Sequence, residues 1–129
     1  QTVFAVNAFL SYKGDLNGYL EFGGDVSAVS SVDVLPDTSG KISRIYSDAF
    51  SYCPNLSNVI IGENVTEIYN AAFYNCQSLK KVEVKAIIPP KIQYNTFDRR
   101  NDLEFYIPAG SLDAYLAAEY WRDFNLILE

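Results

Sequence analysis

Residues 42–84 read ISRIYSDAFSYCPNLSNVIIGENVTEIYNAAFYNCQSLKKVEV. In this stretch Ile42, Ile45, Ala49, Phe50, Cys53, Leu56, Val59 and Ile61 are each followed, 23 positions later, by Val65, Ile68, Ala72, Phe73, Cys76, Leu79, Val82 and Val84. Eight apolar or small positions at one fixed period mark a unit that cannot bury its apolar face alone and stacks on its own copies. Each unit ends in alternation (Leu56, Val59, Ile61), which predicts a short strand with one buried face. Gly62-Glu63-Asn64 predicts a turn, and Val65 and Ile68 a second, shorter apolar pair. Residues 70–76 predict a compact helical or 3₁₀ turn with Ala72, Phe73 and Cys76 on one side and Asn75 satisfying backbone groups at the bend.

The period extends outward from this core. Leu79, Val82 and Val84 predict the next strand, and Thr96-Phe97 falls 24 positions after Ala72-Phe73. Pro89-Pro90 stops any regular strand there. Leu103, Phe105 and Ile107 predict a last repeat strand, ended by Pro108. Toward the N-terminus, Val32 and Val34 match the strand position, and the cluster 36–40 reads as a small insertion. Leu16, Tyr19, Leu20, Phe22, Val26 and Val29 read as a degenerate first coil. Val3-Phe4-Ala5-Val6 reads as an edge strand.

Past Pro108 the repeat gives way to a cap. Ser111 is placed to N-cap a helix with Asp113 in its first turn and with Leu112, Tyr115 and Leu116 on one face. Phe124, Leu126 and Leu128 alternate as a short strand. The expected fold is an α/β solenoid: a short right-handed stack of four to five coils. A parallel sheet lies on one side, helical turns lie on the other, and a helix closes the C-terminal end. Residues 1–31 form a capping coil, 32–107 the repeats and 108–129 the C-terminal cap, all in one domain. Phe50, Phe73 and Phe97 should stack in one internal column.

Composition bounds the function. The chain has 129 residues, 49% of them hydrophobic, and a net charge of −6. An acidic chain lacks the basic face that a phosphate backbone demands, so no nucleic-acid partner is expected. Charge is uneven: residues 80–100 hold six basic and two acidic side chains, a local +4. A solvated face is the plainer reading of that run, and a dock for an acidic surface the other. No stretch approaches the roughly 18 apolar residues of a membrane span, so no membrane insertion is expected. Position 1 is Gln and the chain has no Met, so it reads as a processed or trimmed piece of a longer protein.

Cys53 and Cys76 are repeat partners, about 4.8 Å apart at Cα if neighbouring coils stack in register. That lies within reach of a disulfide. Parallel stacked side chains point alongside one another, however, which favours two reduced, buried, space-filling thiols. Two Cys and no His fall short of a zinc set, so no metal or cofactor is expected. Without His no Ser-His-Asp system can be assembled, and no pair of acids is singled out for glycoside hydrolysis. The expectation is a chain that is not an enzyme.

Candidate contact residues lie where the repeat is free to vary. If Val59 and Ile61 point inward, stacking predicts three outward columns. The first holds Ser31, Asn58, Lys81 and Glu104. The second holds Asp33, Ile60, Glu83 and Tyr106. The third holds Leu35, Gly62 and Lys85. The open sheet face of a repeat stack is its usual binding surface, which makes Asp33, Asn58, Ile60, Lys81, Glu83, Lys85 and Tyr106 the candidate face. The plainer reading is a solvated sheet with scattered apolar groups. The ten tyrosines are a second signal. Tyr46 and Tyr69 are repeat partners, and Tyr52, Tyr74 and Tyr94 fall near the turns. Tyrosine offers contact area at low entropic cost, and an exposed ring can stack on a sugar.

The same residues resemble the bacterial leucine-rich repeats of the BspA type: Ile45, Ala49-Phe50, Cys53, Leu56, Val59, Ile61, and again Ile68, Ala72-Phe73, Cys76, Leu79, Val82, Val84. The run Tyr106-Ile107-Pro108-Ala109-Gly110-Ser111 with Tyr115, Ala118 and Trp121 is similar to the closing segment of such proteins. The likeness covers about residues 32–129. It implies a secreted or surface-attached protein with a role in adhesion or in binding a protein or glycan of the host or of neighbouring microbes. The family offers no catalytic motif to carry over. The alternative is a spacer domain of a larger surface protein, with no ligand of its own.

Overall fold

At Val32/Val34, Val59/Ile61, Val82/Val84 and Phe105/Ile107, two inward apolar residues alternate with outward ones, and a four-residue strand forms that buries alternate side chains. The computed structural model describes residues 30–34 and 44–129. Strands β1 (Ser31–Val34), β3 (Asn58–Ile61), β5 (Lys81–Val84) and β6 (Glu104–Ile107) pair in parallel with β7 (Asn125–Leu128) as one five-stranded sheet, in the order β1-β3-β5-β6-β7. The strands pair without a slip: Val32 lies opposite Val59, Val59 opposite Val82, and Val82 opposite Phe105. On a second side of the coil, β2 (Arg44–Ile45) and β4 (Glu67–Ile68) pair in parallel, and Lys91 continues them with a single bridge to Glu67. The described residues therefore wind as a β-solenoid of about four turns.

The interior is built of stacked columns. Leu56, Leu79 and Leu103 are repeat equivalents, as are Ile45, Ile68 and Ile92, and all six are buried. Phe50, Phe73 and Phe97 form the expected internal column, with ring centroids 5.2 Å apart at each step and planes within 10° of parallel. Cys53 and Cys76 are buried thiols that form no disulfide, as the packing argument favoured. The third position of their column is Arg100, where a thiol gives way to a guanidinium.

Among the described residues, helical turns do not form on the far side of the coils. Residues 47–52 and 70–75 are chains of tight turns, because Asp48 and Tyr52, and their equivalents Ala71 and Asn75, take φ between 57° and 63°. A right-handed helix cannot continue through a left-handed residue. Ala72, Phe73 and Cys76 still face inward. Backbone bonds between coils replace the helical ones: Phe50 N–H donates to the Ala72 carbonyl, Tyr52 N–H to Tyr74, and Phe73 N–H to Thr96.

The C-terminal end also departs from expectation. The one α-helix among the described residues, α1 (Leu112–Ala117), is only six residues long and buries Tyr115 alone. Leu112 is half-buried and Leu116 is exposed. Ser111 does not cap it: its hydroxyl donates instead to the Pro108 carbonyl at 2.7 Å, within a turn that Gly110 completes at φ 85°. Closure falls to β7 and to an aromatic cluster of Phe97, Phe105, Tyr115, Trp121 and Phe124. The strand expected from Phe124, Leu126 and Leu128 is β7, although Leu128 faces solvent. Of the expected N-terminal capping coil (1–31), residues 1–29 lie outside the described residues, and Ser31 belongs instead to the repeat strand β1, paired with Asn58. The edge strand at 3–6, the insertion at 36–40, and Leu35 and Ile42 also lie outside the described residues.

Candidate functional site

The parallel register carries the predicted outward residues onto one face. Ser31, Asn58, Lys81, Glu104 and Asn125 form one row, and Asp33, Ile60, Glu83, Tyr106 and Ile127 the next. Lys85 lies one row further: its N–H bonds the Ile61 carbonyl just as Gly62 N–H bonds Val34. All seven candidate residues therefore share a surface. Glu104 and Glu129 belong to it as well.

The polar groups on this face are largely paired with one another. The Lys85 ammonium donates to Glu83 at 2.7 Å, which holds the Glu83 carboxyl below its ordinary range and raises the lysine above its own. Glu129 hydrogen-bonds the same Glu83 carboxylate, and that bond pushes its own carboxyl up. Asp33 is also raised, first by burial and then by the Glu83 charge. The Tyr106 hydroxyl donates to Glu104 at 3.0 Å, which raises the phenol, and the Lys81 ammonium lies 4.7 Å above the Tyr106 ring. Ile60 stands half-buried between Asp33 and Glu83.

Much of the basic run at 80–100 is paired along the surface of the stack. Lys80 pairs with Asp102 at 2.6 Å, and Arg99 with Asp123 at 3.4 Å. The Arg99 guanidinium also lies over the rings of Tyr94 and Phe124. Arg100 donates to the carbonyls of Cys76, Gln77 and Leu79. These contacts fasten one coil to the next.

A second region lies over the turns. Tyr52 and Tyr74 meet at right angles, ring centroids 5.7 Å apart, above a shallow groove of about 270 Å³ lined by Tyr52, Pro54, Asn75, Gln77 and Ser78. The tyrosine count pointed to the rings but not to the groove. The missed signal was the repeat pairing of Tyr52 with Asn75, which places both on one rim. Another cleft, of about 260 Å³, separates the cap from the last coil, with Lys91 and Glu119 as its charged lining residues. It holds no pair of acids. Among the described residues, no group of three metal-ligating side chains comes together, and no helix is long and apolar enough to cross a membrane.

A family model for a BspA type leucine rich repeat region (6 copies) matches residues 30–113. No curated protein matches the chain significantly.

Proposed function

Because this chain belongs to the BspA-type leucine-rich repeat family, we propose that it is a non-catalytic recognition module, secreted or displayed at a cell surface, that binds a protein or glycan partner through its sheet face. The family is generally a scaffold for interaction or surface display rather than for catalysis. The observation that carries the reading is the alignment of Asp33, Asn58, Ile60, Lys81, Glu83, Lys85 and Tyr106 on one surface whose substitution leaves the stacked columns intact. Ile60 and Tyr106 supply apolar area within a charged rim, the arrangement in which buried anchors carry most binding energy. Surface plasmon resonance of the chain against extracellular-matrix proteins and a glycan panel tests the reading. The expected result is a specific partner whose binding falls at least tenfold in Ile60→Ala/Tyr106→Ala. Binding that is indifferent to that double variant would remove the sheet face from the proposal.

One observation favours a second reading, the spacer. The Lys85–Glu83 and Tyr106–Glu104 contacts satisfy charged groups without any ligand. A spacer would show no partner in the same screen.

A further inference from the structure

We propose that the groove over the turns, bounded by Tyr52 and Asn75, binds a neutral oligosaccharide. The site stands apart from the sheet face, and either surface can bind without the other. Three observations converge on it.

The first is chemical. The lining of Tyr52, Pro54, Asn75, Gln77 and Ser78 contains no carboxylate, ammonium or guanidinium. Gln77 Nε2 donates to Asn75 Oδ1 at 3.0 Å, so the two amides are held together on one wall, and their remaining polar atoms, Asn75 Nδ2 and Gln77 Oε1, can address hydroxyls. An aromatic ring beside paired amides matches a pyranose, which has an apolar C–H face and a polar equatorial rim.

The second is shape. At about 270 Å³ the groove falls just below the ~300–1,000 Å³ of drug-sized ligand pockets, and it is shallow. It offers neither an unpaired strand edge nor a deep apolar pocket, the two features by which peptides are usually held. A ring-sized ligand whose chain continues along the surface fits it better.

The third is the backbone. Tyr52 and Asn75 are repeat equivalents and share a left-handed conformation, φ 57° and 58°. Asparagine tolerates that region, whereas a bulky residue there is an outlier. Tyr52 is 61% exposed, so the turn requires the left-handed backbone but not a tyrosine: a bulky aromatic stands where Asn would be at ease. An exposed ring kept at such a position points to use of the ring.

The test is isothermal titration calorimetry of the 129-residue chain with cellohexaose, xylohexaose, chitohexaose, maltohexaose and mannohexaose, alongside thermal melts. We expect at least one hexasaccharide to bind. Tyr52→Asn, which installs the residue its repeat partner already carries, should weaken that binding at least tenfold while raising Tm. Gln77→Ala should weaken it as well, and Ile60→Ala/Tyr106→Ala should leave it unchanged. The proposal is overturned if none of the five binds, if Tyr52→Asn binds undiminished, or if Tyr52→Asn lowers Tm, which would make the ring a structural brace. A protein partner lost in Tyr52→Asn, with no sugar bound, would also overturn it.

Discussion

The indole Nε1 of Trp121 donates to the carbonyl of Pro90 at 2.7 Å, from a side chain with no solvent exposure. Tyr115 makes the matching bond to the Ala86 carbonyl. Together the two cap residues grip both ends of the loop that carries the exposed Ile87 and Ile88. Trp121→Phe keeps an aromatic body but leaves a buried carbonyl unmet, so it should cost about 1–3 kcal/mol in urea denaturation followed by circular dichroism. A change within error would mean that water replaces the indole.

Phe73 is stacked on both sides, 5.2 Å from Phe50 and from Phe97. Phe73→Ala should cost roughly 3–5 kcal/mol, the usual range for truncating a buried phenylalanine. A loss under about 1 kcal/mol in chemical denaturation would contradict the internal column.

How much of this was open to a reader of the sequence depends on the kind of contact. Columns such as Phe50–Phe73–Phe97 and the outward row Asp33–Ile60–Glu83–Tyr106 follow from the period alone, since a parallel stack in register repeats every side chain's direction. The turns did not follow, because Ala71 and Tyr52 give no sign of a left-handed backbone. Asp48 and Asn75, residue types enriched there, were the only hints. The cap was legible as apolar residues but not as bonds. That Tyr115 and Trp121 reach carbonyls 29 and 31 residues back depends on how the end of the stack is covered, which no periodicity encodes.

Arg100 occupies the place a third cysteine would take and donates to three carbonyls of the preceding coil. Arg100→Ala should cost about 1.5–3 kcal/mol, the scale of hydrogen bonds from a charged donor. Arg100→Lys should recover little, because an ammonium cannot reproduce the planar fork. Full rescue by lysine in equilibrium denaturation would show that charge alone matters.

The sheet face should leave a signature in the pH dependence of stability. Asp33 is raised above 3.8 by burial and by Glu83, so its stabilising contribution is present below 3.8 and is lost as pH rises through its folded value. Asp33→Asn should therefore raise Tm at pH 7 and leave it unchanged at pH 3. Glu83 is lowered from 4.5 by Lys85, so its contribution has the opposite sign: present above 4.5 and lost as pH falls through its folded value. Glu83→Gln should lower Tm at pH 7 more than at pH 3. Melting curves of both variants between those limits check the two signs.

Cys53 and Cys76 have no solvent exposure, and the Cys76 thiol donates to the Phe50 carbonyl at 3.0 Å. An aromatic disulfide reagent should find neither thiol in the native protein on the mixing timescale and both in denaturant, since reaction requires opening of the stack. Fast native labelling of either would place it outside the core.

The five-stranded sheet has one further consequence, and it is mechanical. Its strands lie across the axis of the stack and its hydrogen bonds run along that axis, so tension applied between β1 and β7 pulls directly on the ladder instead of shearing it. Bonds loaded this way part a few at a time. Under such tension the coils should peel away one after another at low force, each releasing its own length of chain, and recoil when the load is removed.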